Sequence, residues 1–214
     1  MKKHSVISWL LAFCLCFAMA MPAWAAETDG YVDGIEPHIS FVATVRIVSI
    51  PGSAGSVSSG SFGHFFLTFK NTSNSTITVG HMPVKPNQSV TIGTFGNRKA
   101  HTGIWYNIEG YAGIPSESYA LVTGVTASEL AIVNDVINAN DSWTLTNNCS
   151  AFAVKVWNAT PAGNKVSGGN PAALANSIRS YDLCITNPSI VKKALSTVAY
   201  HTDLSYNFAE PDLK

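Results

Sequence analysis

The chain has 214 residues, with 13 Lys and Arg against 13 Asp and Glu, and 12% of its residues are charged. Such a balance excludes an electrostatic nucleic-acid binder and gives no steering toward anionic lipid. The length suits one domain with a real core.

At the start of the chain, Lys2 and Lys3 precede an uncharged apolar run from Val6 to Met21, then Pro22 and the small-residue pattern Ala23-Trp24-Ala25. That is the three-part layout of a cleavable secretory signal, interrupted before it could serve as a membrane span. Residues 1–25 are therefore expected to be a signal peptide. Residues 26–214 are expected to form a single domain that works secreted or in the cell envelope, outside the cytoplasm, with no integral membrane segment once the signal is removed. Loss of the two lysines leaves this domain slightly acidic. Cys149 and Cys184 are the cysteines that survive processing. An oxidising compartment invites a disulfide between them. A domain of this size folds without such a staple, so a functional thiol stays open.

Alternation of apolar residues predicts a strand over Phe41 to Ile50, followed by a Ser/Gly-rich loop from Pro51 to Gly63. Strand-like runs from Gly63 to Lys70 and Ser75 to His81 flank Asn71-Thr72-Ser73-Asn74, which reads as a hairpin turn. Further β-like runs cover Ser89 to Phe95, Gly103 to Glu109 and Tyr119 to Thr123. Helices follow. Thr126-Ala127-Ser128-Glu129 is a capping-box pattern ahead of Leu130, Val133 and Ile137. A second helix is expected from Cys149 to Asn158. Asn170-Pro171 and Asn187-Pro188 each look like a cap residue with proline at the first helical position. The fold class is α+β, an antiparallel sheet packed against helices.

Chemistry is expected at the Cys149 helix. Cys149, Phe152, Ala153, Val156 and Trp157 share one helical face, so the thiol starts the stripe that packs on the sheet. Its place in the first turn favours a thiolate, since unpaired N–H groups gather there. Bringing a thiol from about 8.5 to below 7 takes roughly 2 kcal/mol, and a helix terminus supplies about 0.3 to 1. A nearby cation must supply the rest, and imidazolium is the economical choice among His38, His64, His81, His101 and His201. With Asn71 to Asn74 as the hairpin loop, His64 falls opposite His81, both rings on one face. A nucleophile, a base and an orienting group then converge. His101 and His201 read as surface residues, and Trp105 and Tyr106 as core.

Gly63-His64-Phe65-Phe66-Leu67 on a strand, a second histidine on the next, and Asn148-Cys149-Ser150-Ala151-Phe152 much later resemble the circularly permuted papain-like cysteine enzymes. These are the lecithin retinol acyltransferase-like proteins and their relatives, the NlpC-type peptidoglycan peptidases. The resemblance covers roughly Phe62 to Trp157. It implies a circularly permuted papain-like (NlpC-type) fold with Cys149 as nucleophile, His64 as general base and His81 as the polar third member. Asn148 is a candidate for the oxyanion or substrate, beside the Cys149 backbone N–H. No cofactor is implied. The expected function is that of an exported cysteine peptidase or amidase, a hydrolase that cleaves an amide or ester bond through a thioester acyl-enzyme. Cell-wall peptides are the favoured substrate, and a monomer is expected. Three alternatives remain: an acyltransferase of the same fold, a zinc enzyme using His64, His81 and His101, and a non-catalytic binding module with a Cys149–Cys184 disulfide.

Overall fold

The computed structural model describes residues 40–52, 63–114, 117–201 and 204, which belong to one unit, Ile39–Lys214. The signal peptide expected over residues 1–25 lies outside the described residues, as does most of the Ser/Gly-rich loop. In chain order the strands are β1 (Ala43–Ile50), β2 (His64–Asn71), β3 (Ile77–Val79), β4 (Met82–Val84), β5 (Ser89–Phe95), β6 (Gly103–Tyr106), β7 (Tyr119–Val125), β8 (Ile185–Thr186) and β9 (Ala199–Tyr200). The helices are α1 (Ile108–Ala112), α2 (Ala127–Asn138), α3 (Cys149–Asn158) and α4 (Pro171–Arg179). A sheet ordered β8-β7-β1-β2-β5-β6-β9 is antiparallel throughout, and β3 and β4 form a separate hairpin. The α+β class is thus as expected from the sequence.

Strands at the centre of a sheet covered on both faces need apolar residues at successive positions. Accordingly Phe65, Phe66 and Leu67 of β2 are all fully buried, as are Ile47 and Val48 of β1. Phe65, Leu67 and Phe69 face the main core with the helices, while Phe66 meets Val48 and Ala120 on the other face. Helix α3 closes the main core by laying Phe152, Ala153, Val156 and Trp157 against β2, β1 and β5. The same stripe that buries α3 fixes the rotation of its first residue, Cys149. Among the described residues no helix is long and apolar enough to cross a membrane.

Two local signals behave as the sequence suggests. Thr126 and Glu129 complete a reciprocal capping box at α2, and Asn170 caps α4 with Pro171 in the first turn. Others differ. Asn187 adopts a left-handed φ of 52° and donates its backbone N–H to Ser118 O at 2.8 Å, so the chain docks beside β7 where a helix was expected. The run from Gly103 to Glu109 is a strand only as far as Tyr106.

The expected β2–β3 hairpin does not form. Asn71 is fully buried at the end of β2, and its side chain directs the following residues. Oδ1 accepts from Ser73 N at 2.8 Å, closing an Asx-type turn, while Nδ2 donates to Ser75 O at 2.7 Å and Val84 O at 2.8 Å. These bonds carry the chain away from β2, whose two edges are already taken by β1 and β5. Strand β3 pairs with β4 instead, with Val79 opposite Met82. His81 therefore lies in the tight turn after Gly80 (φ 59°) and is exposed, whereas the residue opposite His64 is Ile50.

Asn71→Ala leaves the Val84 carbonyl and the Ser73 N–H without their partner. It should destabilise the domain by about 2 to 3 kcal/mol, read as a lower urea midpoint with an unchanged denaturant slope.

Candidate active site

Cys149 is the first residue of α3, and the cap that starts the helix sits directly before it. Asn148 Oδ1 accepts the Ala151 N–H at 3.1 Å, and its Nδ2 donates to Leu145 O at 3.1 Å. The Asn148 amide is thereby engaged at both ends in shaping the turn that presents the thiol. The side chain expected to meet an oxyanion or substrate serves here as the cap of α3.

His64 opens β2 immediately after Gly63, whose φ of 68° and close approach to the Gly52 N and Ile50 O leave no room for a Cβ. The ring lies 5.8 Å from that of Phe66, nearly parallel to it, and 4.6 Å from the tilted ring of Phe95. Its Nε2 lies 2.9 Å from Glu109 Oε1. With Nε2 so occupied, Nδ1 is the nitrogen left for the Cys149 thiol, which hydrogen-bonds the ring.

Glu109 is the partner of the His64 ring, and sequence reasoning missed it. Asn107 adopts a left-handed φ of 63° after β6 and turns the chain into the short helix α1, which swings Glu109 back under β5. Its side chain is 3% exposed. Oε2 accepts the Thr91 hydroxyl at 2.6 Å, so both oxygens are engaged. Gly93 makes this possible, because a Cβ there would collide with Glu109 Oε1 and press on His64 Nε2. One signal was present in the sequence: Glu109 is a lone carboxylate directly after the run Ile104-Trp105-Tyr106-Asn107-Ile108, and an acid in such surroundings requires a partner.

Burial works against the charged form of His64, but hydrogen bonds to Cys149 and Glu109, and the charges of both, outweigh it and raise the ring from 6.5 to about 9. Burial also pushes the Cys149 thiol up. The hydrogen bond and charge of His64, the Phe65 backbone N–H and the Ser150 hydroxyl overcome this and hold the thiol below its ordinary value. Ser150 is fully buried and its hydroxyl has no other partner among the described residues. The two shifts point the same way, toward the thiolate–imidazolium form of the pair. Since a helix terminus supplies about 1 kcal/mol at most at an ordinary site, the histidine does the greater part.

The remaining histidines are elsewhere. The His81 ring lies 4.3 Å from that of His201. His201 is 2% exposed, not on the surface as expected, and its Nδ1 is 3.1 Å from Asp141 Oδ2. His101 Nε2 lies 3.0 Å from Asp141 Oδ1, which also accepts the Ile104 N–H at 2.8 Å. Burial would raise the Asp141 carboxyl, but His201, Ile104 and His101 together hold it at about 2. This carboxylate ties the loop that leads to Cys149 onto β6. His64, His81 and His101 thus take separate partners, and among the described residues no group of three or more His, Cys, Asp and Glu is placed to hold a metal. Cys149 and Cys184 are both free thiols. Trp105 and Tyr106 are core residues, fully buried.

With imidazolium required for proton donation to a leaving group, the alkaline limb of turnover should fall near pH 9. Glu109→Gln removes a charge that raises the ring, so it should move that limb to lower pH and the onset of thiolate formation to higher pH, narrowing the active window from both sides. Rates of Cys149 alkylation and turnover across pH 4 to 10 check both limbs. Gly93→Ala should separate His64 from Glu109 and produce the same narrowing without altering any ionisable group.

No family model, curated protein or solved structure matches this chain, so the constellation of Cys149, His64 and Glu109 stands on its own geometry.

Proposed function

We propose that the protein is an exported cysteine hydrolase that cleaves an amide or ester bond through a thioester on Cys149. The observation that carries this reading is the relay from a helix-terminal thiol through His64 to a buried Glu109, with the imidazole raised to about 9 and the thiol lowered. Perturbed titration in both partners of a hydrogen-bonded Cys–His pair is what nucleophilic catalysis requires.

In the first half-reaction the Cys149 thiolate attacks the scissile carbonyl. Charge builds on the carbonyl oxygen beside the backbone N–H groups at the start of α3, where the helix terminus favours an anion. Collapse of the tetrahedral adduct breaks the bond to the leaving amine or alcohol, which takes its proton from the His64 imidazolium. Water then enters. The now neutral His64 removes its proton, hydroxide adds to the thioester carbonyl, and the C–S bond breaks to release acid and regenerate the thiolate–imidazolium pair. Glu109 holds the ring by Nε2 throughout and favours its charged form, while Thr91 holds Glu109.

The chain order, with the histidine strand ahead of the cysteine helix, supports a circularly permuted papain-like arrangement. The N-terminal signal pattern supports export, and with it a substrate among the peptides of the cell wall. Free thiols at Cys149 and Cys184 argue against the disulfide-bonded binding module.

Two results are expected. Cys149 should react with iodoacetamide at pH 7 at least tenfold faster than Cys184, whose thiol is pushed up by burial. Cys149→Ala and His64→Ala should each lower hydrolysis of purified peptidoglycan peptides by about a thousandfold or more, with the double variant hardly worse than either. Undiminished turnover in Cys149→Ala, or two thiols of equal reactivity, would refute the proposal.

A further inference from the structure

Beside the His64–Glu109 pair lies a cation for which the chemistry above has no use. Arg98 stands in the segment between β5 and β6, half-buried, with its guanidinium carbon 4.7 Å from the centre of the Phe95 ring. Phe95 in turn packs 4.6 Å from the His64 ring, so the guanidinium is one side chain removed from the imidazole. Stacking on an aromatic face fixes the plane of the fork.

Among the described residues no anion pairs with the guanidinium. The ion pairs of the described residues are those of His64 with Glu109 and of His101 and His201 with Asp141, and none includes Arg98. Among the described residues its buried Nε has no hydrogen-bond partner. Glu109 is near enough for its charge to act on Arg98, yet both of its oxygens are committed to His64 and Thr91. A guanidinium remains charged under all ordinary conditions. Holding it half out of water with an idle donor costs free energy that a bound anion would recover.

We propose that Arg98 is an anion subsite that takes a carboxylate of the substrate and so makes the enzyme selective for acidic amides and peptides. This rests on the reading of Cys149 as the nucleophile and adds the charge of its substrate. A planar, preset fork suits a carboxylate bidentately. Phe95, shared between the guanidinium and His64, sets the distance between the subsite and the reacting centre.

The test needs no knowledge of the natural substrate. N-iodoacetyl-β-alanine and its carboxamide alkylate the same thiol and differ in one carboxylate, set several bonds from the reacting carbon so that it can reach past Phe95. The ratio of their rates at Cys149 reads the subsite and cancels differences in thiolate content. Arg98→Gln and Arg98→Met should each lower the acid-to-amide ratio by roughly tenfold, the scale of one partly solvated charge-assisted hydrogen bond. Arg98→Met retains a stem that packs on Phe95, so agreement between the two variants assigns the effect to charge. Arg98→Lys should keep most of the ratio. A ratio unchanged in Arg98→Met, with the amide reagent still reacting fast at Cys149, would overturn the subsite and leave the nucleophile standing. If Arg98→Lys lost the ratio as fully as Arg98→Met, selection by charge would be overturned too. Slow reaction with both reagents in the unaltered protein would instead remove the nucleophile itself, and the subsite with it.

Discussion

A carboxylate placed 3% exposed beneath a sheet has to be paired and hydrogen-bonded, or it would be protonated or expelled. Glu109 meets that demand with His64 on one oxygen and Thr91 on the other, and several otherwise odd features follow from it. Asn107 takes a left-handed backbone so that the chain can leave β6 and bring Glu109 back under β5. Its own amide is drawn into the same arrangement, accepting from the Thr91 N–H at 3.3 Å and donating to Thr197 O at 2.8 Å. Gly93 is bare of a side chain because the carboxylate occupies that space. The ion pair is thus built into the sheet, where it joins the Cys149 thiol in raising the imidazole.

Position follows from packing just as charge follows from burial. His64 is set by the pairing of β2 with β1, and Cys149 by the apolar stripe that lays α3 on β2. Neither depends on a surface loop for its orientation. The loop ahead of Cys149 is itself tied down, by Asp141 to His101, His201 and the Ile104 N–H, and by Trp143 lying across Gly96. Asn148 then shapes the last turn before the thiol.

Much of this was legible in the sequence where the signal is local. Residues Ser89–Phe95 and Cys149–Asn158 read as a strand and a helix because periodicity and caps act over a few neighbours, and the same spacing identified Cys149 and placed it facing the sheet. His64 was legible through the chemistry a helix-terminal thiol needs. Strand pairing was not, because it depends on partners far apart in the chain. The tetrapeptide after β2 does turn, but Asn71 turns it out of the sheet, and the two-residue turn at Gly80-His81 was hidden inside what read as a single strand. For that reason Glu109, and not His81, meets the His64 ring. Choosing between them required knowing that β5, not β3, borders β2.

Because β2 and α3 carry His64 and Cys149 on the same residues that fill the main core, the site has no independent unit of folding. Loops that carry chemistry can usually open at a small cost while the scaffold persists. Here Phe65 follows His64 and Phe152 lies one turn beyond Cys149, both fully buried in one cluster, so the backbones that carry thiol and imidazole separate only when β2 leaves α3. Denaturation then takes the site and the core together, as one cooperative event.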